Sequence, residues 1–223
     1  MKIGITGDTH GDLYFSQIYK AKRLGCDTLI ICGDFGYIWY DDSIKQEKQL
    51  DYMDKIGIKI LFVDGNHCNF NKLNSYPITE MYNGRVHKIR ENIIHLMRGE
   101  VYLIDKKKFF TFGGAESIDK HLRKENKSWW KDELCNVDEV NNAVDNLFKY
   151  DNNVDYIITH TTYDKVIRNL GFYESNTDVT SHFLRNVNDI INYKHWYFGH
   201  FHKNHNIEHL NTTCVYKDII KLK

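Results

Sequence analysis

A pattern that recurs three times before residue 68 constrains this chain most: a short apolar run that stops at a glycine-flanked polar tip. Ile3-Gly4-Ile5-Thr6 runs into Gly7-Asp8-Thr9-His10-Gly11-Asp12, residues 28–32 run into Gly33-Asp34-Phe35-Gly36, and residues 58–63 run into Asp64-Gly65-Asn66-His67. Short apolar runs bounded in this way read as strands buried on both faces. Between them, residues 13–24 and 43–56 carry apolar side chains at helical spacing, and Gly25 stands where a helix C-cap belongs. Strand, helix and strand in alternation make right-handed crossovers of a parallel sheet, which place the polar tips along one edge. Open α/β sheets put their chemistry at that edge.

The middle of the chain changes character. Residues 86–88, 93–96, 101–104 and 109–112 are closely spaced short runs, which predicts antiparallel ribbons, with Asp105-Lys106-Lys107-Lys108 as a solvated hairpin tip. Residues 137–150 return to helical spacing, and residues 154–159 predict another buried strand, tipped by His160-Thr161-Thr162. Residues 179–191 predict a helix leading to His195-Trp196-Tyr197-Phe198 and the tip Gly199-His200-Phe201-His202. Residues 206–210, 213–216 and 219–222 read as a closing antiparallel meander. Without repeats, linkers or low-complexity segments, residues 1–223 read as one domain, long enough to bury most of its apolar surface in a single core.

Composition narrows the function by exclusion. Thirty basic and thirty acidic residues balance, so the chain lacks the basic excess that binds nucleic acid backbones or anionic membranes. Cys26, Cys32, Cys68, Cys135 and Cys214 are odd in number and have no C-x-x-C spacing, which argues against a disulfide framework or a thiolate zinc knot and for a reducing cytoplasm. No long apolar segment precedes the first strand and no stretch approaches a membrane span, so the expectation is a soluble cytoplasmic protein with no membrane partner.

Collected by position, five strand tips carry Asp8 with His10, Asp34, Asn66 with His67, His160, and His200 with His202. Oxygen and imidazole donors without thiolate suit Mn, Fe, Zn or Ni, and they exceed what one ion needs, so two divalent or trivalent metal ions are expected.

Asp8-x-His10, Gly33-Asp34, Gly65-Asn66-His67, His160 and Gly199-His200-x-His202, in this order from residue 4 to about residue 202, resemble the calcineurin-like metallophosphoesterase family in its small single-domain bacterial and phage form. The resemblance implies a four-layer α/β/β/α sandwich of two mixed β-sheets flanked by helices. It further implies that Asp8, His10 and His202 hold one ion, that Asn66, His160 and His200 hold the other, and that Asp34 bridges. A metal-bridging hydroxide would attack a phosphate mono- or diester, with His67, free of the metals, protonating the leaving group or binding the phosphoryl group.

Two departures shape the expectation. Asp34 is followed by Phe35-Gly36-Tyr37-Ile38 instead of the acid and arginine of the family's protein phosphatases, so the expected substrate is a small phosphate ester or nucleotide. Cys68 replaces the acidic residue that usually follows the histidine, so Asp41 or Asp42 is assigned to orient His67. The segment 112–130 sets glycines beside cationic groups that can lie over a phosphate, which makes Lys120 and Arg123 substrate-binding candidates; alternatively Trp129 and Trp130 simply plug a hydrophobic hole. His87, His95, His121, His182, His195, His205 and His209 read as ordinary core or surface histidines. A metal-dependent nuclease is the alternative, disfavoured by the neutral charge. A non-catalytic scaffold is disfavoured because every expected ligand is present.

Overall fold

The computed structural model describes residues 1–173 and 177–222. Strands β1 (Ile3–Thr6), β2 (Thr28–Ile31) and β3 (Lys59–Phe62) pair in parallel, joined through helices α1 (Ser16–Arg23) and α2 (Ile44–Asp54) as the sequence predicts. After the short helix α3 (Phe70–Asn74), β4 (Ile78–Met81), β5 (Gly84–Lys88) and β6 (Ile93–Leu96) extend this sheet, β6 lying parallel to β3 and antiparallel to β5. The chain then crosses at residues 97–99 to a second sheet, begun by the antiparallel pair β7 (Glu100–Ile104) and β8 (Lys107–Phe112). Helix α4 (Val137–Lys149) leads to β9 (Tyr156–Thr159), and α5 (Asp164–Asn169) and α6 (Val179–Ile190) lead to β10 (His195–Phe198). Strands β8, β9 and β10 are parallel to one another.

Alternation along the strands separates three cores. Leu29 and Ile31 of β2 face outward to Ile18 and Ala21 of α1 and Leu50 and Met53 of α2. Ile30, between them, faces inward with Ile5, Leu61 and Ile94, where it meets Tyr102, Phe109, Ile158 and Tyr197 of the second sheet. On that sheet's far side Phe110, Phe112, Ile157 and Trp196 meet Leu147 of α4, Val166 of α5 and Leu184 of α6. Helix, sheet, sheet and helix therefore stack in four layers, the expected fold class. Each such side chain contributes about 1.5–3 kcal/mol by leaving water.

The C-terminal meander is overturned. Strand β11 (His205–Ile207) ends at a 3-10 turn, Glu208–Leu210, and pairs antiparallel with β12 (Thr212–Cys214), but β12 lies parallel to β10. Strand β13 (Ile220–Lys221) leaves for the other sheet and closes it antiparallel to β1. The run over residues 101–112 is antiparallel as expected, but β6 and β7, neighbours in sequence, belong to different sheets. The first helix starts three residues late because the Asp12 carboxylate accepts the backbone N–H groups of Tyr14 (3.1 Å) and Ser16 (2.8 Å), and Phe15 turns left-handed at φ 51°. Leu13, expected on its buried face, is 60% exposed.

Candidate metal centre

The five tips meet on one rim, those of β1, β2 and β3 from the first sheet and those of β9 and β10 from the second. Glycine makes the close approach possible. A Cβ on Gly33 would lie 2.0 Å from His160 Nδ1, and one on Gly65 would lie 2.2 Å from an Asp34 carboxylate oxygen. Four site residues that are not glycine hold left-handed backbones: His10 (φ 48°), Asp34 (φ 43°), His200 (φ 66°) and His202 (φ 51°). Such conformations cost on the order of 1–3 kcal/mol each and persist only where the surroundings impose them. Here the tips hydrogen-bond one another: His10 N–H donates to the Asp34 carbonyl at 2.8 Å, His67 N–H to Asp34 Oδ1 at 2.8 Å, and His200 N–H to Asp8 Oδ1 at 3.1 Å.

The side chains form two donor sets. Donor atoms of Asp8, His10 and His202 lie within 4.8 Å of one another, and so do those of Asp8, Asp34 and His160. Asn66 Oδ1 sits 2.9 Å from His160 Nε2 and 3.1 Å from His200 Nδ1. Asp8 belongs to both sets, and Asp34, a member of the second, also reaches toward the first, its Oδ1 3.5 Å from His160 and its Oδ2 3.8 Å from His10. All seven residues expected to bind metal are thus brought together. His160 Nδ1 faces the Cys32 carbonyl at 3.0 Å, so a neutral imidazole donates there and turns its Nε2 lone pair into the site. The stacked ring of Tyr216, 4.7 Å away, braces His202.

The charge balance fits a cation. Burial pushes the Asp8 carboxyl up to about 7 against the pull of His160, and its buried Oδ2 has no hydrogen-bond partner. Burial would also raise Asp34, but His160, His67 and His10 outweigh it and hold Asp34 below its ordinary value. The same burial lowers His10 to about 4 and His200 to about 3, leaving neutral imidazoles. Among the described residues no lysine or arginine pairs with Asp8 or Asp34. His160 differs: burial opposes its charge, but Asp34 and Asp8, each 3.5 Å away, outweigh burial and raise it. Buried carboxylates beside imidazoles, with no lysine or arginine to balance them, are the donor set a divalent ion satisfies.

His67 stands at the mouth with its ring nitrogens 3.3 and 3.4 Å from the Arg123 guanidinium, which Asp119 holds at 2.7 Å. Burial, reinforced by Arg123 against the opposing pull of Asp34, lowers its pKa. Arg123 therefore takes the place assigned to Asp41 or Asp42; Asp41 instead accepts from Asn69 at 3.0 Å. Two recesses of about 370 Å³ meet at His67, one lined by Leu13, Trp39 and Tyr40, the other by Ile118, Arg123, Phe172 and Phe201. Lys120 is exposed, pairs with Glu116 and lines neither recess. Trp130 is buried against Cys68 and Phe70, so it plugs the core, while Cys68 accepts the Gly65 N–H at 3.3 Å within the tip.

Sequence reasoning missed two sets of residues here. Ser117 and Glu133 lie behind Asn66, and Arg98 pairs with Asp64 beneath the third tip. His87 and His95 are core histidines as expected, but they extend that same buried cluster.

The family model described as calcineurin-like phosphoesterase matches residues 1–204. This chain belongs to that family. No curated protein matches it. Among solved structures, that of a candidate 5'-nucleotidase from Staphylococcus aureus in complex with alpha-ketoglutarate aligns at 13% identity over 96% of this chain and 48% of that protein, with a TM-score of 0.49. This chain spans about half that protein's length, and a likeness at this level fixes neither substrate nor reaction. No helix among the described residues is long and apolar enough to cross a membrane.

Proposed function

We propose that this chain hydrolyses a phosphate mono- or diester of a small molecule or nucleotide at two metal ions. In this reading Asp8, His10 and His202 hold one ion, Asn66, His160 and His200 the other, and Asp34 bridges them. The reach of Asp34 to an imidazole of each donor set, with Asp8 common to both and each set closed by an imidazole from the opposite sheet, carries this reading. Two ions there, drawn from Mn, Fe, Zn and Ni, would supply an acidified water and positive charge for the phosphoryl oxygens.

The chain's own groups supply the rest. Arg123 presents a cation on the rim opposite the carboxylates, where it can take phosphoryl oxygens as a fork of N–H donors. His67, on the same side, donates an N–H to the phosphoryl group or the leaving oxygen. The recess with Trp39 and Tyr40 suits a planar substituent such as a base, and the second recess leaves room for the other arm of a diester. The five free cysteines support a cytoplasmic site of action, and the core shared by the two sheets supports a single domain over residues 1–223.

Metal-stripped protein should regain p-nitrophenyl phosphate hydrolysis on addition of Mn²⁺, while Asp34→Asn and His200→Ala should stay at background. Wild-type activity in both variants would end the hydrolase reading. His67→Ala should keep both ions yet lose turnover by about 10²–10⁴-fold; metal loss on that change would show its role misassigned.

A further inference from the structure

Behind the candidate metal centre runs a buried chain of hydrogen bonds that starts in the segment between β8 and α4. Asn66 turns its Oδ1 toward His160 and His200, while its Nδ2 donates to Ser117 Oγ at 3.1 Å, fifty-one residues along the sequence. The Ser117 backbone N–H donates to Glu133 Oε2 at 3.1 Å, and burial pushes the Glu133 carboxyl up to about 7 while the Ser117 hydroxyl draws it back down. Asn66 is 5%, Ser117 2% and Glu133 1% exposed, so water does not compete for these contacts. The other Glu133 oxygen, Oε1, is buried with no partner.

An amide side chain has two ends of nearly the same shape and opposite chemistry: the carbonyl oxygen binds a cation and the NH₂ repels one. Turned by half a rotation, Asn66 would fit the same space and present the wrong end. Serine by itself cannot choose between the two, because a hydroxyl both donates and accepts. An ionised carboxylate only accepts. When Glu133 is ionised, Ser117 directs its hydroxyl hydrogen toward that carboxylate, so its oxygen meets Asn66 as an acceptor and the NH₂ must turn to it. The Asn66 oxygen is then left for the imidazoles and whatever they bind. A lone buried carboxyl with one oxygen unpaired is costly to keep, and this relay accounts for its presence.

We infer that Ser117 and Glu133 are positioning residues that fix the sense of the Asn66 amide, so that its oxygen and not its nitrogen faces the second ion. The inference rests on the two-metal reading for what Asn66 holds. It sets the partner of a shared family motif inside a segment that the motif does not include.

The test measures Mn²⁺ binding to stripped protein by calorimetry and electron paramagnetic resonance, so that no activity is needed. Ser117→Ala should weaken the second ion by about 10–100-fold, leave the first unchanged and keep the circular dichroism spectrum of the parent. Glu133→Gln should weaken it in the same sense. The decisive comparison is Ser117→Ala made in an Asn66→Asp background, where both ends of the side chain are acceptors and no sense remains to be set. There the serine change should no longer weaken the second ion. An equal loss in both backgrounds would make Ser117 a packing residue and overturn the inference, as would wild-type affinity in Ser117→Ala or in Glu133→Gln. Parent protein that binds fewer than two ions would sink the two-metal reading itself, and the inference with it.

Discussion

Two buried clusters of carboxylates and imidazoles lie back to back in this molecule, and they solve opposite problems. Beneath the third tip, Asp64 accepts from His95 at 3.1 Å and from Arg98 Nε at 2.9 Å, and His95 in turn faces His87 at 2.9 Å. Arg98 spends its remaining N–H groups on the Asp132 and Leu134 carbonyls and on Glu139. Burial opposes charge on both partners, but the Arg98 guanidinium drives Asp64 far below the ordinary carboxyl value, and Asp64 raises Arg98 in return. On the rim, Asp8 has no such cation, its carboxyl rises to about 7 and one of its oxygens goes unpartnered. Aspartate and histidine meet in both places, but only the closed cluster holds an arginine. That cation, by balancing the charge, separates a cluster that closes on itself from one built to receive an ion.

The largest effect is expected in the closed cluster: Arg98→Met strands the Asp64 carboxylate and should cost about 3–5 kcal/mol in urea unfolding. A loss within measurement error would mean that the cluster is not held by its own cation. Next, Mn²⁺ at a hundredfold excess over its dissociation constant should stabilise the parent by about 2.7 kcal/mol, reversed by chelation. Arg98→Met should respond to Mn²⁺ as the parent does, and no response in the parent would remove the receiving role of the rim.

The smallest effect is the most specific. Asp8 must lose its proton to hold a cation, so Mn²⁺ affinity should weaken as pH falls below about 7, by at most about tenfold per unit, or about 1.4 kcal/mol. Stability of the metal-free protein carries the two signs separately. The raised Asp8 carboxyl favours the folded state below the ordinary carboxyl range and loses that contribution as pH rises from there to about 7. The depressed Asp64 acts oppositely: its contribution is present above the ordinary carboxyl value and is lost as pH falls below it. Glu133, which burial also pushes up to about 7, shares the upper limb, so the part of that slope lost when Mn²⁺ is added belongs to Asp8; a profile unchanged by Mn²⁺ would dissociate Asp8 from the metal.

The rim was legible because its parts are local. Each ligand candidate sits within a few residues of an apolar run, and the run length, the glycines and the polar tip are read without knowing what lies opposite. The relay and the closed cluster were not legible, since each of their links spans the fold: Ser117 is fifty-one residues from Asn66, and Arg98 thirty-four from Asp64. One signal was available. His87 and His95 are directly opposed across the β5–β6 pair, a register that follows from a turn centred near residue 91. The meander failed for a related reason. Strand β13 is short and amphipathic enough to pair with any open edge, and its choice of β1 depends on which sheet had an edge free, a property of the finished assembly.

The left-handed backbones at His10, Asp34, His200 and His202 limit how this rim can be re-engineered. Among oxygen-bearing side chains only aspartate and asparagine enter that region with ease, and β-branched residues scarcely enter it at all. A library that trades imidazole for carboxylate to alter metal preference should therefore favour the shorter acid over glutamate at these positions. Lengthening a ligand would tax the main chain before it touched the metal.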